Sequence, residues 1–504
     1  MNDRTFAPDA TRRIADLLAA QRAAFAADPY PLAQQRRERL RALKRQLGRY
    51  QDRLTEAISS DFGGRSVDES MMLDLIPTVL DINHAISHLA RWMRPSRRST
   101  ELMFLTNRLR VHYQPKGVVG VIATWNFPIY LSLGPLVAAL AAGNRAMIKM
   151  PEVTPATNRV LRQLLAEAFD ETEVALVGGE LEDPSAFTAL AFDHIVFTGS
   201  PTIGRAVMRQ AAEHLTPVTL ELGGKSPALV LRDYPLAEAA LRIAHGKGTN
   251  CGQICVAPDY ALVPREKVQE FAAQLKSSFR KLYGEQPDRN GDYTSIISDR
   301  HAARLAGLLA DARANGAEVT SCGPGANGPT RRMAPQIVTG GTADMALMRE
   351  EIFGPILPVV GYDTEDEAIA FIASRPRPLA LYCFGRDAAA RERVLQRTHS
   401  GGVTINDWGW HVVNHDAPFG GIGNSGMGSY HGIEGFRELS HARTVFERQR
   451  FFPIGLFYPP YGGAVQRLAR KLLLGSPDPT AGQPVRSPLT ETPVIDNTAK
   501  GSRP

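Results

Sequence analysis

Val118-Val-Gly-Val-Ile-Ala-Thr124 is a short apolar run, and it is the first of a series. Similar runs follow at residues 145–149, 174–177, 194–198, 218–222 and 228–231, with helical patterns between most of them, as at 155–169 and 202–214. Strand-length runs alternating with helical patterns are the signature of βαβ units and a parallel sheet. From 117 to 144 the chain carries no charged residue, a stretch longer than a membrane span requires. Asn126, Pro128, Gly134 and Pro135 interrupt it, so a strand, a turn and a buried helix account for it better.

A second alternating block extends from about residue 235 to 406, with candidate strands at 261–263, 336–338, 357–361, 379–384 and 402–405. Helical patterns at 266–282 and 365–373 intervene. The expected fold is α/β: two Rossmann-like parallel-sheet domains with a small β element, and ligands bound in the cleft beyond the carboxyl ends of the strands. Residues 1–94 are mostly helical and are expected to pack around the first sheet. Residues 101–114 alternate weakly, as a strand or hairpin outside both domains. The last thirty residues, rich in Pro, Ser and Thr, are expected to be disordered.

At 504 residues the chain is too long for a single hydrophobic core. Its 43% hydrophobic and 22% charged residues are those of an ordinary globular protein. The net charge of +6 is spread out rather than concentrated. Arg36, Arg37, Arg39, Arg41, Lys44 and Arg45 fall on an amphipathic helix beside Leu40, Leu43 and Leu47, a pattern read as a solvated face. No aromatic–basic interleaving or zinc spacing supports nucleic-acid binding. Four cysteines, at 251, 255, 322 and 383, make no Cys-x-x-Cys pair, and no signal peptide is evident at the N-terminus. A reducing cytoplasm is the expected location.

Several residues carry possible chemistry. Cys255 lies in the small-residue, turn-prone stretch Lys247-Gly-Thr-Asn-Cys-Gly-Gln-Ile-Cys-Val-Ala-Pro258. Backbone N–H groups at a turn lower a thiol's pKa and make it a nucleophile, although a lone cysteine is more often an inert core residue. Cys251 reads as a small buried side chain. Glu221 ends an apolar strand and precedes Gly223-Gly224, a placement that suits a general base in a cleft and equally a glutamate paired with Lys225. Asn126 follows Trp125 at the end of the first strand, where its amide could stabilise an oxyanion or form an Asx-type turn before Pro128.

Lys149 and Glu152 end the next strand and could hold ribose hydroxyls or pair with each other. Gly199-Ser-Pro-Thr-Ile-Gly204 lies between strand and helix, where a dinucleotide pyrophosphate could meet the helix N-terminus, but it lacks the middle glycine of the usual fingerprint. Gly224-Lys225-Ser226 imitates the end of a P-loop, whose first glycine would fall on Thr219, so that reading fails. His84 with His88, and His411 with His415, have metal-ligand spacing but no Glu of the His-Glu-x-x-His motif and no third ligand, and structural roles are expected.

Taken together, these segments resemble the aldehyde dehydrogenase superfamily over roughly residues 15–450. Glu350-Glu351-Ile-Phe-Gly-Pro355 belongs to that set, and Gly252-Gln-Ile-Cys-Val-Ala-Pro-Asp-Tyr260, Pro418-Phe-Gly-Gly-Ile-Gly-Asn-Ser-Gly-Met-Gly428 and Tyr430-His-Gly-Ile-Glu-Gly-Phe436 are similar to the superfamily's class 3 branch. Within that branch the coniferyl aldehyde subgroup is the nearest match. The resemblance implies Cys255 as nucleophile, Glu221 as general base, and Asn126 with the Cys255 N–H as oxyanion hole. It implies a cofactor site of Thr124, Trp125, Lys149, Glu152, Gly199, Ser200, Gly204, Leu222, Glu351 and Phe353, and no metal. The cofactor would be NAD, with Glu152 repelling the extra phosphate of NADP, though NADP stays possible.

The implied division is a NAD-binding domain of residues 1–94 and 115–225, a catalytic domain of 226–410, bridging and oligomerisation segments at 95–114 and 411–450, and a tail from 451. The expected assembly is a homodimer. The expected activity is oxidation of an aldehyde of the coniferyl type through a thiohemiacetal and a thioester. A long-chain fatty aldehyde dehydrogenase, a CoA-acylating relative and a catalytically silent, cofactor-binding relative are the alternatives. Residues 464–474 form a basic amphipathic pattern that could lie on a membrane surface, cap the substrate tunnel or pack on its own domain.

Overall fold

A computed structural model describes residues 10–101, 104–324, 331–452 and 454–475. Strands β1 (Val118–Ile122), β2 (Arg145–Lys149), β3 (Val174–Val177), β4 (His194–Gly199) and β5 (Val218–Leu222) pair in parallel, in the spatial order β5-β4-β1-β2-β3. Every residue of β1, β2 and β3 is buried, as befits strands covered by helices on both faces. The helix Pro155–Ala168 carries the chain from β2 to β3, and Pro201–Ala212 carries it from β4 to β5. The chain moves outward from β1 to β3, then returns to set β4 against the opposite side of β1. At such a reversal the loops leaving the two central strands part, and a crevice opens between them.

The second sheet holds β6 (Pro227–Val230), β7 (Tyr260–Pro264), β8 (Glu318–Ser321), β9 (Gln336–Thr339), β10 (Ile356–Tyr362), β11 (Ala380–Phe384) and β12 (Gly402–Ile405), in the order β8-β9-β10-β7-β6-β11-β12. The antiparallel edge strand β8 is additional to the expected set, since a half-exposed Glu-Val-Thr-Ser carries little pattern. The run at 228–231, expected in the first series, forms a strand that pairs with β7 and β11 instead. The reason is chain length. β5 ends at Leu222 and β6 begins at Pro227, whereas a parallel neighbour in one sheet needs a crossover of about a dozen residues. The chain therefore changes sheets through Gly223-Gly224-Lys225-Ser226. A short strand, β13 (Gly426–Met427), closes the far edge of the first sheet, with Gly426 opposite Glu221.

The uncharged stretch contains β1 and the helix Tyr130–Ala142, every residue of which is buried. Among the described residues no helix is long and apolar enough to cross a membrane. Helix Ala33–Phe62 buries Leu40, Leu43, Leu47 and Leu54 on one stripe. Arg36 departs from the expected solvated face. It is buried because its guanidinium donates to the carbonyl of Pro31 and, at the end of the uncharged helix, to those of Ala141 and Ala142.

One compact unit takes in the chain up to Ser96 and from Arg110 to Val445, both large sheets included. Strands Arg108–Pro115 and Ser440–Glu447 lie side by side in a third sheet, so the expected 101–114 strand is confined to its second half. Residues 97–109 and those from 446 onward form a smaller unit. There Phe104 packs on Phe446 and Phe452, and helix Ala464–Leu474 occupies the predicted 464–474 segment. Beyond Gly475 the tail lies outside the described residues.

Candidate active site

The loop that carries Cys255 is strained before it arrives there. Helix Leu236–Gly248 gives way to a turn in which Asn250 (φ +47°), Cys251 (φ +54°) and Gly252 (φ +69°) are left-handed in succession. For the two non-glycine residues such a conformation costs on the order of 1–2 kcal/mol each. The neighbours over-determine it. Asn250 donates its N–H to Glu69 Oε2 (3.0 Å), and its Nδ2 donates to the carbonyls of Asn126 and Gln253 (both 3.1 Å). Gln253 Nε2 donates to the carbonyls of Asn250 (2.9 Å) and Ser295 (3.1 Å), while its Oε1 accepts from Ile297 N–H (2.9 Å). A Cβ on Gly252 would sit 2.4 Å from the Gly354 carbonyl oxygen, so only glycine fits. Cys251 is buried against the Tyr293 hydroxyl at 3.4 Å, which is the small-side-chain role expected of it.

A cavity of about 590 Å³ opens at the carboxyl ends of β1, β4 and β5. Cys255, Glu221 and Asn126 all line it, as do Thr124, Trp125, Gly199, Ser200, Leu222, Glu351 and Phe353. Ten of the thirteen residues singled out in the sequence thus meet at one place, from segments more than two hundred residues apart. Asn126 is buried, with Nδ2 donating to the Gln253 carbonyl at 3.1 Å and its own carbonyl accepting from Arg65 Nη1 at 2.9 Å. Arg65 is itself buried among Glu69 and Asp74. Nothing in the sequence marks Arg65, Glu69, Asn250 or Gln253 as supports of the site, beyond the four-residue spacing of Arg65 and Glu69.

Three of the titratable groups that line the cavity bear on its chemistry. Glu221 is 3% exposed and neither of its carboxylate oxygens has a hydrogen-bond partner in the protein. Burial holds its pKa well above the ordinary carboxylate range. Burial likewise pushes the Cys255 thiol up to about 12, and the Glu351 and Glu221 carboxylates add to the rise. The N–H groups of Cys255 and Val256, directed at the sulfur, work the other way. Glu351 is raised to about 8, first by burial and then by Asp259, against the Gly224 N–H, Lys225 and Lys247. Its carboxylate rests on the backbone of Gly223, where a Cβ would lie 1.9 Å from Oε2.

On the remaining side the geometry suits a dinucleotide. Cβ atoms on Gly199 and Gly204 would lie 2.6 Å from the Phe197 ring and 2.7 Å from Leu222. The N-terminus of helix Pro201–Ala212, capped by Ser200, therefore packs closely against β5 at the mouth of the cavity. Gly204 itself lies behind the lining. Phe353 (φ +52°) stacks edge-on against Trp125 at 5.3 Å, and its carbonyl meets His301 Nε2 at 2.7 Å. Lys149 and Glu152 do not line the cavity. They pair with each other, Nζ to Oε1 at 2.6 Å.

His84 and His88 stack on each other at 4.2 Å, and the His411 ring meets Thr404 Oγ1 at 2.8 Å. Among the described residues no group of three or more His, Cys, Asp or Glu side chains is arranged to hold a metal ion.

The sequence profile described as "Aldehyde dehydrogenase family" matches residues 7–445. A probable coniferyl aldehyde dehydrogenase of Pseudomonas aeruginosa is 50% identical over 458 residues, covering 91% of this chain and 96% of its own. Among solved structures, the substrate-bound AldH of Staphylococcus aureus superposes with a TM-score of 0.86 at 35% identity, covering 91% of this chain and 99% of that one. An aldehyde dehydrogenase of Mycobacterium tuberculosis complexed with NAD+ gives 0.79 at 28% identity, over 88% and 91%.

Proposed function

The chain belongs to the aldehyde dehydrogenase family, and from that premise we propose that this enzyme oxidises an aromatic aldehyde of the coniferyl type to its acid, with NAD as cofactor. Oxidation of aldehydes is the family's activity. The particular substrate rests on the 50% identity to a protein named for coniferyl aldehyde. The observation that carries the mechanism is the convergence of Cys255, Glu221 and Asn126 on one cavity at the sheet's point of reversal.

In this mechanism the Cys255 thiol passes its proton to water, and the thiolate sulfur bonds to the aldehyde carbon as the carbonyl π pair moves onto oxygen. The oxygen that becomes negative is met by Asn126 Nδ2 and the Cys255 N–H, a pair of fixed donors in a water-poor site. Gly199, Ser200, Leu222, Thr124 and Trp125 would hold NAD, with Gly204 letting its helix pack close behind them and with Glu351 and Phe353 toward the nicotinamide, and when bound it would supply the acceptor for the hydride that leaves that carbon. Glu221 then takes a proton from water, and the hydroxide adds to the thioester carbon. The C–S bond breaks and the acid departs. A carboxyl group without competing partners is suited to this step, because burial raises its proton affinity above that of an ordinary carboxylate. Lys149 and Glu152 would hold the adenine-side ribose, and the Glu152 charge would disfavour the extra phosphate of NADP.

The domain division proposed here sets the boundary of the NAD-binding part at residue 225, inside the short link between β5 and β6. A homodimer is favoured by strand Ser440–Glu447, an edge strand exposed at every residue after Ser440. Contact with an anionic membrane surface is favoured by helix Ala464–Leu474, where exposed Val465, Leu468 and Leu472 accompany Arg467, Arg470 and Lys471. Four cysteines that all stay free suit the cytoplasm.

The test is NADH formation by the purified protein with coniferyl aldehyde and, in parallel, with a long-chain alkyl aldehyde. Faster turnover of coniferyl aldehyde is expected. Preference for the alkyl chain would assign the enzyme to fatty aldehydes, and silence with both would overturn the substrate and the mechanism together.

A further inference from the structure

Behind the cavity lies a cluster of charge that the mechanism does not use. Asp259, four residues after Cys255, is buried between two lysines. Lys225 Nζ donates to Asp259 Oδ2 and also to the carbonyls of Leu347 (2.7 Å) and Glu350 (2.9 Å). Lys247, fully buried in the last turn of the helix that leads into the strained turn, places Nζ 3.6 Å from Asp259 Oδ1 and makes no hydrogen bond to a protein atom. The same Oδ1 accepts the N–H of Ile352 at 3.1 Å, one residue past Glu351. The Asp259 N–H in turn donates to the Ser226 carbonyl at 2.8 Å.

One carboxylate therefore ties together four segments. These are the Cys255 loop, the Gly223–Ser226 link after Glu221, the helix end at Lys247, and the 347–352 loop bearing Glu351. The Glu351 carboxylate, which accepts the Gly224 N–H, lies in the field of all three charged groups. Two lysines and two carboxyl groups share this volume. Buried charge is tolerated only when it is compensated, so removing the Asp259 charge leaves the buried Lys247 and the half-buried Lys225 facing Glu351 alone.

We infer that Asp259, through Lys225 and Lys247, is the positioning residue that sets Glu351 against the cofactor and holds the 347–352 loop in register with the Cys255 loop. This rests on the reading of Glu351 as the holder of the nicotinamide ribose. Asp259 itself touches neither substrate nor cofactor. Its loss should appear as weakened use of NAD, with a smaller change in turnover at saturating cofactor.

The experiment is a double-mutant cycle on the full chain with Asp259→Asn, Glu351→Gln and the double variant, reading KM for NAD and kcat. Asp259→Asn is expected to raise KM for NAD about tenfold, and to have little further effect once Glu351 is already Gln, because coupled residues are non-additive. Additive effects of the two substitutions would overturn the proposal while leaving the Glu351 reading intact. A Glu351→Gln enzyme with unchanged KM for NAD would instead overturn the Glu351 reading, and the proposal with it. Should Asp259→Asn fail to fold, Lys247→Met serves in the same cycle. It removes one arm of the cluster without stranding a charge on Lys225, and additive effects there would overturn the proposal in the same way.

Discussion

Two carboxylates flank Cys255, and the regions that supply them are built on opposite terms. Glu221 stands at the end of β5, deep in the first sheet, with no hydrogen bond to either oxygen. Glu351 stands on a loop, rests on the Gly223 backbone, accepts the Gly224 N–H and faces Lys225 and Lys247. Burial raises the proton affinity of both, and nothing opposes it at Glu221. At Glu351 the partners oppose the rise and give the carboxylate a fixed direction. A base needs the former condition and a ligand for ribose hydroxyls needs the latter, so the same residue type does two jobs because its surroundings differ.

The largest expected effect removes what the two regions share. Cys255→Ala should lower kcat by about 10⁴-fold or more, since no other group in the cavity can form the covalent bond. Wild-type turnover in that variant would dissolve the contrast, because neither glutamate would then be serving a thiol. Next is Glu221→Gln, expected to lower steady-state kcat by about 10²–10³-fold. Rapid-mixing absorbance should still show about one NADH per site, after which turnover stalls at the thioester. Loss of that burst would mean that Glu221 acts before the thioester forms. Glu351→Gln should be milder, raising KM for NAD about tenfold with a smaller loss in kcat, the size of effect expected when one charged hydrogen-bonding group is lost. Were Glu351→Gln the variant that stalls after one turnover, the roles of the two regions would be exchanged.

This contrast is only half legible in the sequence. The strands are legible: β2, β3, β5 and β12 begin and end where their apolar runs do, and in the nearly fully buried β2, β3 and β5 cover on both faces favours such runs. The strand-end position of Glu221 and the glycines after it are visible for the same reason. What surrounds the two carboxylates is not. Arg65, Asn250, Gln253, Lys247 and Asp259 are ordinary polar residues in the sequence, and their roles exist only where loops from distant segments meet. The same holds for the assignment of β6. Its apolar run is plain, but the sheet it joins depends on the length of the link before it. Arg36 shows the converse, a charge on a basic stripe that is buried because three backbone carbonyls await it.

The smallest expected effect isolates the deprivation of Glu221 from its chemistry. Its native pKa is raised by burial, so the fold favours the protonated form over the ionised one. That preference stabilises the protein fully below the unfolded-state value near 4.5, and is progressively lost as pH rises from there toward the native value. Gln at this position has no proton to lose. Glu221→Gln should therefore gain stability relative to the wild type as pH rises toward 8, even as it loses activity. Thermal midpoints of the two proteins should draw apart as pH rises above 5, the wild type falling further than the variant. Any fixed cost of burying an unpartnered amide shifts one curve bodily and leaves their divergence unchanged. Parallel curves would mean that Glu221 finds in solution the partners it lacks here, and that the two regions differ less than their geometry indicates.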